Sequence, residues 1–570
     1  MPLFYHLGGD ALEHDLWAGE ISRGNWLGNE RFYVAPLYPY FLGLLYTLFG
    51  HDLLLVRFVQ IALGATSCVF LALAGNALFS WGVGLFAGFL LALYPITIFF
   101  EGLIQKSVLE IFFLALLLFL LGRTLLNPKK RTWVFIGLVT ALLALTRENA
   151  FILPWIFAVW IFVRFRTAPL KQRVAWCGAL LIGLGIVLLP VGLRNLAVGG
   201  EFHMGSTQFG PIFFLSNNKD ADGIYTPFRL ARGNAEFERR DTAELAEKAL
   251  GRKLTPKEVS EYWTRRTLAD IKEDPGRWAR LLIRKWCLVW NAAEISDTED
   301  FYTYQKWSMF LRGMGFFNFG VIAPLGIFGI YVTWPQRRQL WILYLMELGF
   351  SVGLTLYLVS SRYRLPLVPC LILFAAAGVI EGFQGLRKKR FLTVAIGCLI
   401  ALVAAIAIHQ NIVPRDRFRA TGAYNLGVAL IEQNKFKEAT GYLEEARRLN
   451  PDDVSIVNNL GSVLARQGKF SEAIAAFTQA IRLRPDHVGA HYNLGLAFME
   501  TQQLEESAAQ LAEAVRLDPN YNRAHYWLGI VLTKLGKPEE AAPHLEIARN
   551  AGLPPPKDRN KEGFQSTAGP

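Results

Sequence analysis

Long apolar runs broken by short polar turns fill residues 1–197 and return from 310 to 414. Runs of about 17–25 apolar residues are long enough to cross a bilayer as helices. The pattern predicts ten such spans, roughly 53–79, 82–100, 103–126, 132–147, 150–165, 174–196, 313–333, 339–360, 364–384 and 391–410, of which the fourth and fifth are short and read as tilted or re-entrant. Between the two blocks, residues 198–309 are polar and form a predicted outer insert. There Thr255-Pro-Lys-Glu258 has the form of a capping box with proline in the first helical turn, so a helix starts at that point and stops before Pro275. A second helix from about 276 turns Trp278, Leu281, Leu282, Trp286 and Leu288 toward the membrane. Gly205 to Tyr225 is rich in Gly, Asn and Asp and reads as an ordered loop able to line a polar pocket. From 415 the apolar spacing becomes that of short amphipathic helices, and the tail 554–570 is predicted to be disordered. The expected fold is all-α: a multi-span membrane bundle with an outer loop domain, then a superhelix of repeats over 415–553.

The repeats have a fixed period. Asn425-Leu-Gly427, Asn459-Leu-Gly461, Asn493-Leu-Gly495 and Trp527-Leu-Gly529 recur every 34 residues. Ala439, Ala473, Ser507 and Ala541 share one offset, and Ala446, Ala480, Ala514 and Ala548 another. Pro451, Pro485 and Pro519 close the first three units. The pattern is similar to that of tetratricopeptide repeats, whose helix pairs stack into a superhelix with a concave groove. Tyr424, Asn458, Tyr492 and Tyr526 precede each glycine by three residues and are candidates to line that groove for a peptide or partner protein. The same four positions would equally serve to pack the superhelix.

Charge changes the picture by its placement. The net charge is +12, yet 198–309 has 17 basic and 17 acidic residues and 415–553 is close to balance. The excess lies in four short turns of the bundle: Lys129 to Arg131; Arg164, Arg166, Lys171 and Arg173; Arg337 and Arg338; and Arg387 to Arg390. They fall at every second turn, so the positive-inside rule makes them cytoplasmic. The N-terminus, the insert and the repeats are then outside, and the expected location is a bacterial inner membrane with those parts periplasmic. No basic face is left for nucleic acid. A chain starting outside also predicts a further apolar span upstream of Met1.

The five cysteines show no paired spacing, and four of them lie in apolar runs, so no disulfide framework or zinc site is expected. His487 and His491 are four residues apart but have no third ligand nearby, and are read as structural. No cofactor is expected, and a divalent metal has no ligand spacing to support it.

The chemistry concentrates at the start. Asp10, then Ala18, Ile21, Gly24 and Trp26, then Pro36-Leu-Tyr-Pro39 and Gly50, resemble the first outer loop of polytopic lipid-carrier-dependent glycosyltransferases. That class includes protein O-mannosyltransferases and the aminoarabinose transferase of lipid A. Tyr94-Pro95 before Glu101, Pro190 before Arg194-Asn195, the loop Ser216 to Gly223, and Arg362-Tyr-Arg364-Leu-Pro366 agree with it. Three departures stand out: the expected first span is absent, His14 replaces a common tyrosine, and Lys106 stands near a common acid.

The resemblance implies transfer of a sugar from a polyprenyl-phosphate-type donor to an acceptor protein or glycolipid at the outer membrane face. Such a reaction needs a base for the acceptor hydroxyl and fixed cations for the departing phosphate. Asp10 is the first candidate base by motif position. Glu101 is second, with acceptor orientation, metal binding or a plain span end as its other possible roles. Asp15 is third, and Glu13 also flanks the site. Arg362 and Arg364 are the first candidates for donor phosphate, because a guanidinium grips phosphate bidentately. Lys106 and Arg147 follow, and Asp220 and Asp222 are candidates for sugar or acceptor hydroxyls. The alternative is a non-catalytic membrane scaffold whose repeats organise an envelope complex. A transporter ranks last, since matching broken halves are not seen.

Overall fold

The computed structural model describes residues 7–29, 31–200, 202–224, 235–296, 299–413 and 415–553. The tail from 554 lies outside the described residues. Among the described residues there is helix and no strand. The chain divides into two compact units, one covering Leu7–Val413 and the other covering the repeats from Pro414.

In the first unit a helix occupies each of the ten expected spans, but the lengths differ. Among the described residues six helices are long and apolar enough to cross a membrane: Leu53–Leu78, Ser107–Leu126, Leu170–Gly199, Trp334–Leu356, Ser361–Arg387 and Phe391–Ile408. A seventh span is broken, with Trp81–Leu93 and Pro95–Glu101 meeting at 56°. The break follows from Pro95, which keeps Tyr94 extended (φ −74°, ψ 107°) and cannot continue the ladder. Of the other three, Leu153–Arg164 and Phe319–Val332, with 12 and 14 residues, fall short of a full crossing, and Lys130–Thr146, with 17, is at the lower limit for one.

Small residues let these helices approach. A Cβ on Gly137 would lie 3.0 Å from the Gly183 Cα, and the reverse holds for Gly183. Helices in a membrane gain little from apolar burial and associate through such close packing. Ser361–Arg387 is the most buried of these helices and lies at the centre, whereas Phe391–Ile408 is largely exposed at the periphery.

The insert is built as its local signals require. Thr255 and Glu258 form the reciprocal capping box, with backbone-to-side-chain bonds of 2.8 and 3.3 Å, and Pro256 opens the helix that runs to Glu273. The following helix, Pro275–Val289, buries Leu281, Lys285, Leu288 and Val289 against the protein and leaves Ile283 exposed. It also fixes the Asn217–Gly223 loop: Arg277 donates to the carbonyls of Asn218 and Lys219, Arg284 to that of Asp222, and buried Lys285 to Asn217 Oδ1 at 3.0 Å.

Among the described residues the second unit has four helix pairs, beginning Arg415–Glu432 with Phe436–Leu449 and ending Asn522–Lys534 with Pro538–Asn550. Each repeat glycine faces a large side chain: a Cβ on Gly427, Gly461, Gly495 or Gly529 would come within 2.8 Å of Leu443, Phe477, Leu511 or Leu545. Ser507, where the other repeats have alanine, remains buried by donating to the Gly495 carbonyl at 2.7 Å. His487 caps its helix and His491 bridges Gln510 and the Pro485 carbonyl, so both are used within the stack.

Candidate active site

Three stretches distant in sequence converge in the first unit. The first is the helix Gly9–Ser22, which carries Asp10 and His14. The second is the turn from Gly102 to Lys106. Gln60 holds this turn from below, donating to the carbonyls of Glu101 and Leu103 at 2.8 and 2.7 Å while accepting the Tyr38 hydroxyl at 2.6 Å. Arg57 adds a bond to the Gly102 carbonyl. The third is Ser361–Arg364, a single turn capped by Ser360 and interrupted by Pro366 before the central helix resumes.

Arg362 joins them. Its Nη1 lies 2.7 Å from Asp10 Oδ2 and 2.9 Å from Gln105 Oε1, and its Nη2 reaches the Tyr363 hydroxyl at 3.3 Å. Arg147 adjoins this group, pairing with Glu110 at 2.8 Å and lying 4.5 Å over the Tyr363 ring. Arg147 Nε and Nη1 are buried and make no hydrogen bond among the described residues. Lys106 caps the N-terminus of Ser107–Leu126 within electrostatic reach of Asp10, Glu110, Arg147 and Arg362. Three cations therefore meet two carboxylates, and donors are left over.

The electrostatics of Asp10 follow. Burial pushes its carboxyl up, but Arg362, with His14 and Lys106, outweighs that and holds it near 2, below the usual 3.8. His14 is buried against Tyr38, edge to face, with Nδ1 unpartnered among the described residues. Burial drives its imidazole down to about 3, so it is neutral at working pH.

The remaining candidates sit elsewhere. Arg364 is buried in an adjoining network, paired with Glu294 at 2.7 Å, donating to the carbonyls of Asn291 and Ala293, and stacked on Phe319 at 4.1 Å. Glu101 packs its carboxylate on Gly64 and is not among the charges acting on Asp10. Asp15 is engaged by His51 at 2.8 Å and by the Tyr46 hydroxyl. Asp222 Oδ1 accepts from the Ile224 amide, and the Asp220 amide donates to Asn218, so both help shape their loop. In the repeats, Asn458 and Tyr492 are fully buried, while Tyr424 and Tyr526 remain half-buried.

Gln105, Glu110 and Glu294 escaped the sequence reading. A carboxylate inside an apolar run signals use, and Glu110 could have been found that way. Glu294 lies 70 residues from its partner, with no local pattern to mark it.

The helices give this cluster a definite end of the bundle. Lys106 opens the helix whose far end leads to Lys129–Arg131, Arg147 closes the helix that begins there, and Arg362 opens the span ending at Arg387. The cluster and the basic turns thus occupy opposite ends of the same helices.

Residues 33–192 match the family of dolichyl-phosphate-mannose-protein mannosyltransferases, and 424–488, 458–522 and 492–554 match tetratricopeptide repeats. The chain joins a segment that matches the mannosyltransferase family to tetratricopeptide repeats. The mannosyltransferase match contains Glu101, Lys106 and Arg147 but neither Asp10 nor Arg362. The matched segment lies among several helices long and apolar enough to cross a membrane. No curated protein matches the chain. Among solved structures, MamA 41-end from Desulfovibrio magneticus RS-1 is 22% identical, covering 30% of this chain and 90% of its own, with a TM-score of 0.22. YrrB, described as a TPR protein with an unusual peptide-binding site, is 20% identical over 30% of this chain and 83% of its own, with a TM-score of 0.22.

Proposed function

We propose that the first unit transfers a sugar from a polyprenyl-phosphate-type donor to a hydroxyl acceptor at the non-cytosolic face of a bacterial inner membrane. The supporting observation is the junction at Arg362, where one guanidinium is shared between Asp10 and Gln105 beside the unfilled donors of Arg147. Buried cations without enough anions suit a phosphate. The opposite placement of cluster and basic turns supports the outer face.

In the resting protein Arg362 holds Asp10 as a weakly basic carboxylate. The donor phosphate competes for that guanidinium, with Lys106 and the free donors of Arg147 adding to its hold. Asp10, losing its partner, becomes a better base. The acceptor oxygen then bonds to the sugar's anomeric carbon as the bond from that carbon to phosphate oxygen breaks. The electron pair leaves with polyprenyl phosphate, and the acceptor proton passes to Asp10. Arg364 acts at one remove, holding the Asn291–Glu294 segment in place. The repeats, through Tyr424 and Tyr526, receive an acceptor protein or a partner.

The test is transfer of radiolabelled mannose from polyprenyl-phosphoryl-mannose by the full chain in proteoliposomes. Wild type is expected to turn over, and Asp10→Asn to lose ~10²–10⁴-fold in rate. Wild-type turnover in both Asp10→Asn and Arg362→Gln removes this assignment. A wild type inactive with every lipid-linked donor favours the scaffold alternative.

A further inference from the structure

The helix Pro275–Val289 carries three strips, and the protein covers only one of them. Leu281, Lys285, Leu288 and Val289 share the buried side. On the opposite side Ile283 is 66% and Trp286 39% exposed, and Cys287 is exposed with them. Successive helix residues are turned by about 100°, so Trp286, Ile283 and Cys287 follow one another across that side and Arg280 and Arg284 lie along its edge. Arg280, with its side chain 74% exposed, has Asp274 only at 4.0 Å. Arg284 gives its Nε to the Asp222 carbonyl, an uncharged acceptor.

The helix ends beside the apolar bundle. Trp286 neighbours Trp290 at 6.3 Å, and Trp290 neighbours Phe319 at 6.1 Å, where Phe319–Val332 begins. The Ala292 amide donates to the carbonyl of Ile408, the last residue of Phe391–Ile408. Both ends lie on the side of the Arg362 cluster, since Phe319 also carries the Arg364 guanidinium on its face. Met309, in the stretch leading into Phe319, is 90% exposed. The bare strip thus adjoins the ends of two apolar helices, the level at which hydrocarbon gives way to headgroups.

The neighbours decide what covers the strip. Bare apolar patches mark contact sites. Tryptophan suits a membrane boundary, because its ring is apolar and its N–H polar. A basic strip beside an apolar one is complementary to lipid phosphate over acyl chain, and helices built this way lie flat in the headgroup layer. A soluble partner would gain nothing from continuity with the span ends. We propose that Pro275–Val289 lies along the membrane surface, with Ile283, Trp286 and Cys287 in the upper acyl chains and Arg280 and Arg284 on the phosphates of anionic phospholipid. This holds independently of the transfer reaction.

Cys287 supplies the probe. Bimane is attached to it in the full chain carrying Cys68→Ala, Cys177→Ala, Cys370→Ala and Cys398→Ala, reconstituted in nanodiscs. Phosphatidylcholine brominated high in its chains should quench the label, and aqueous acrylamide should not. Brominated phosphatidylglycerol should be enriched at the label ~5-fold over phosphatidylcholine, about the worth of one basic residue at the surface. Arg280→Gln should bring that ratio toward one without changing quenching by phosphatidylcholine, and Arg280→Lys should restore it. Quenching by acrylamide but not by brominated lipid overturns the placement. Protection from both also overturns it, since a protein surface then covers the strip. Equal quenching by the two lipids in wild type overturns the phosphate contact. Should the cysteine background fail to fold, hydrogen exchange over 279–287 in the unmodified chain carries the test. It should be slower in phosphatidylglycerol than in phosphatidylcholine nanodiscs, with the difference lost in Arg280→Gln, and equal rates overturn the proposal.

Discussion

Arg362 and Arg364 stand two residues apart on one short turn, are equally buried, and live in opposite environments. Arg364 is fully answered by the protein: a carboxylate, two carbonyls and an aromatic face. Arg362 shares one nitrogen between Asp10 and Gln105, and its neighbour Arg147 keeps two donors unfilled. The first arrangement is that of a structural ion pair, and the second is the one we propose takes the donor phosphate. The motif spelling alone makes the two arginines look alike, and the partners separate them.

The sharpest way to break this contrast is to remove each arginine in turn. Arg364→Leu should destabilise the first unit by ~3–5 kcal/mol, because Glu294 is left buried and uncompensated. Thermal unfolding of the detergent-solubilised protein reads this. Arg362→Gln should cost much less stability while abolishing transfer. The contrast fails if the two variants lose stability equally.

A smaller effect sharpens the cation surplus. Lys106→Gln should weaken polyprenyl phosphate binding ~10- to 150-fold, the loss of one charge-assisted contact at ~1.5–3 kcal/mol, with little change in unfolding temperature. An unchanged affinity would confine phosphate recognition to the arginines.

The pH dependence of the Asp10–Arg362 pair follows from its sign. Asp10 titrates near 2 in the folded protein against 3.8 in the ordinary state. A depressed carboxylate contributes stability above its unfolded value and loses it as pH falls through its folded value. The stability difference between wild type and Asp10→Asn should be flat from about pH 5 to 8 and shrink below about pH 4. A difference that changes near neutrality would mean another group carries the pair.

The smallest expected effect lies in the repeats. Tyr526→Ala should leave transfer to a small soluble acceptor unchanged and lower it only for a protein acceptor, by a few-fold in KM. Equal loss for both acceptors would place the tyrosine in the fold of the repeats instead.

Periodicity made much of this legible. The glycine and alanine offsets of the repeats are each one packing contact, so their spacing in the chain maps directly onto helix pairs. Thr255 and Glu258 act within one turn, and local chemistry sufficed there. The ten apolar runs marked helices, but hydropathy alone does not sense the Tyr94–Pro95 break or the short reach of Phe319–Val332. In the site, motif position pointed to Asp10 and Arg362, which meet across 352 residues. The same reasoning grouped Arg364 with Arg362 and Glu101 with Asp10. Their partners, Glu294 and Gly64, are set by tertiary packing that no local spacing reports.

The account rests on Arg362 exchanging Asp10 for a phosphate. Equilibrium binding of radiolabelled polyprenyl phosphate to wild type, Asp10→Asn and Arg362→Gln tests that exchange directly. Removing the competing carboxylate should make Asp10→Asn bind at least as tightly as wild type although it cannot transfer, while Arg362→Gln loses binding. Loss of binding in Asp10→Asn, or wild-type binding in Arg362→Gln, would contradict it.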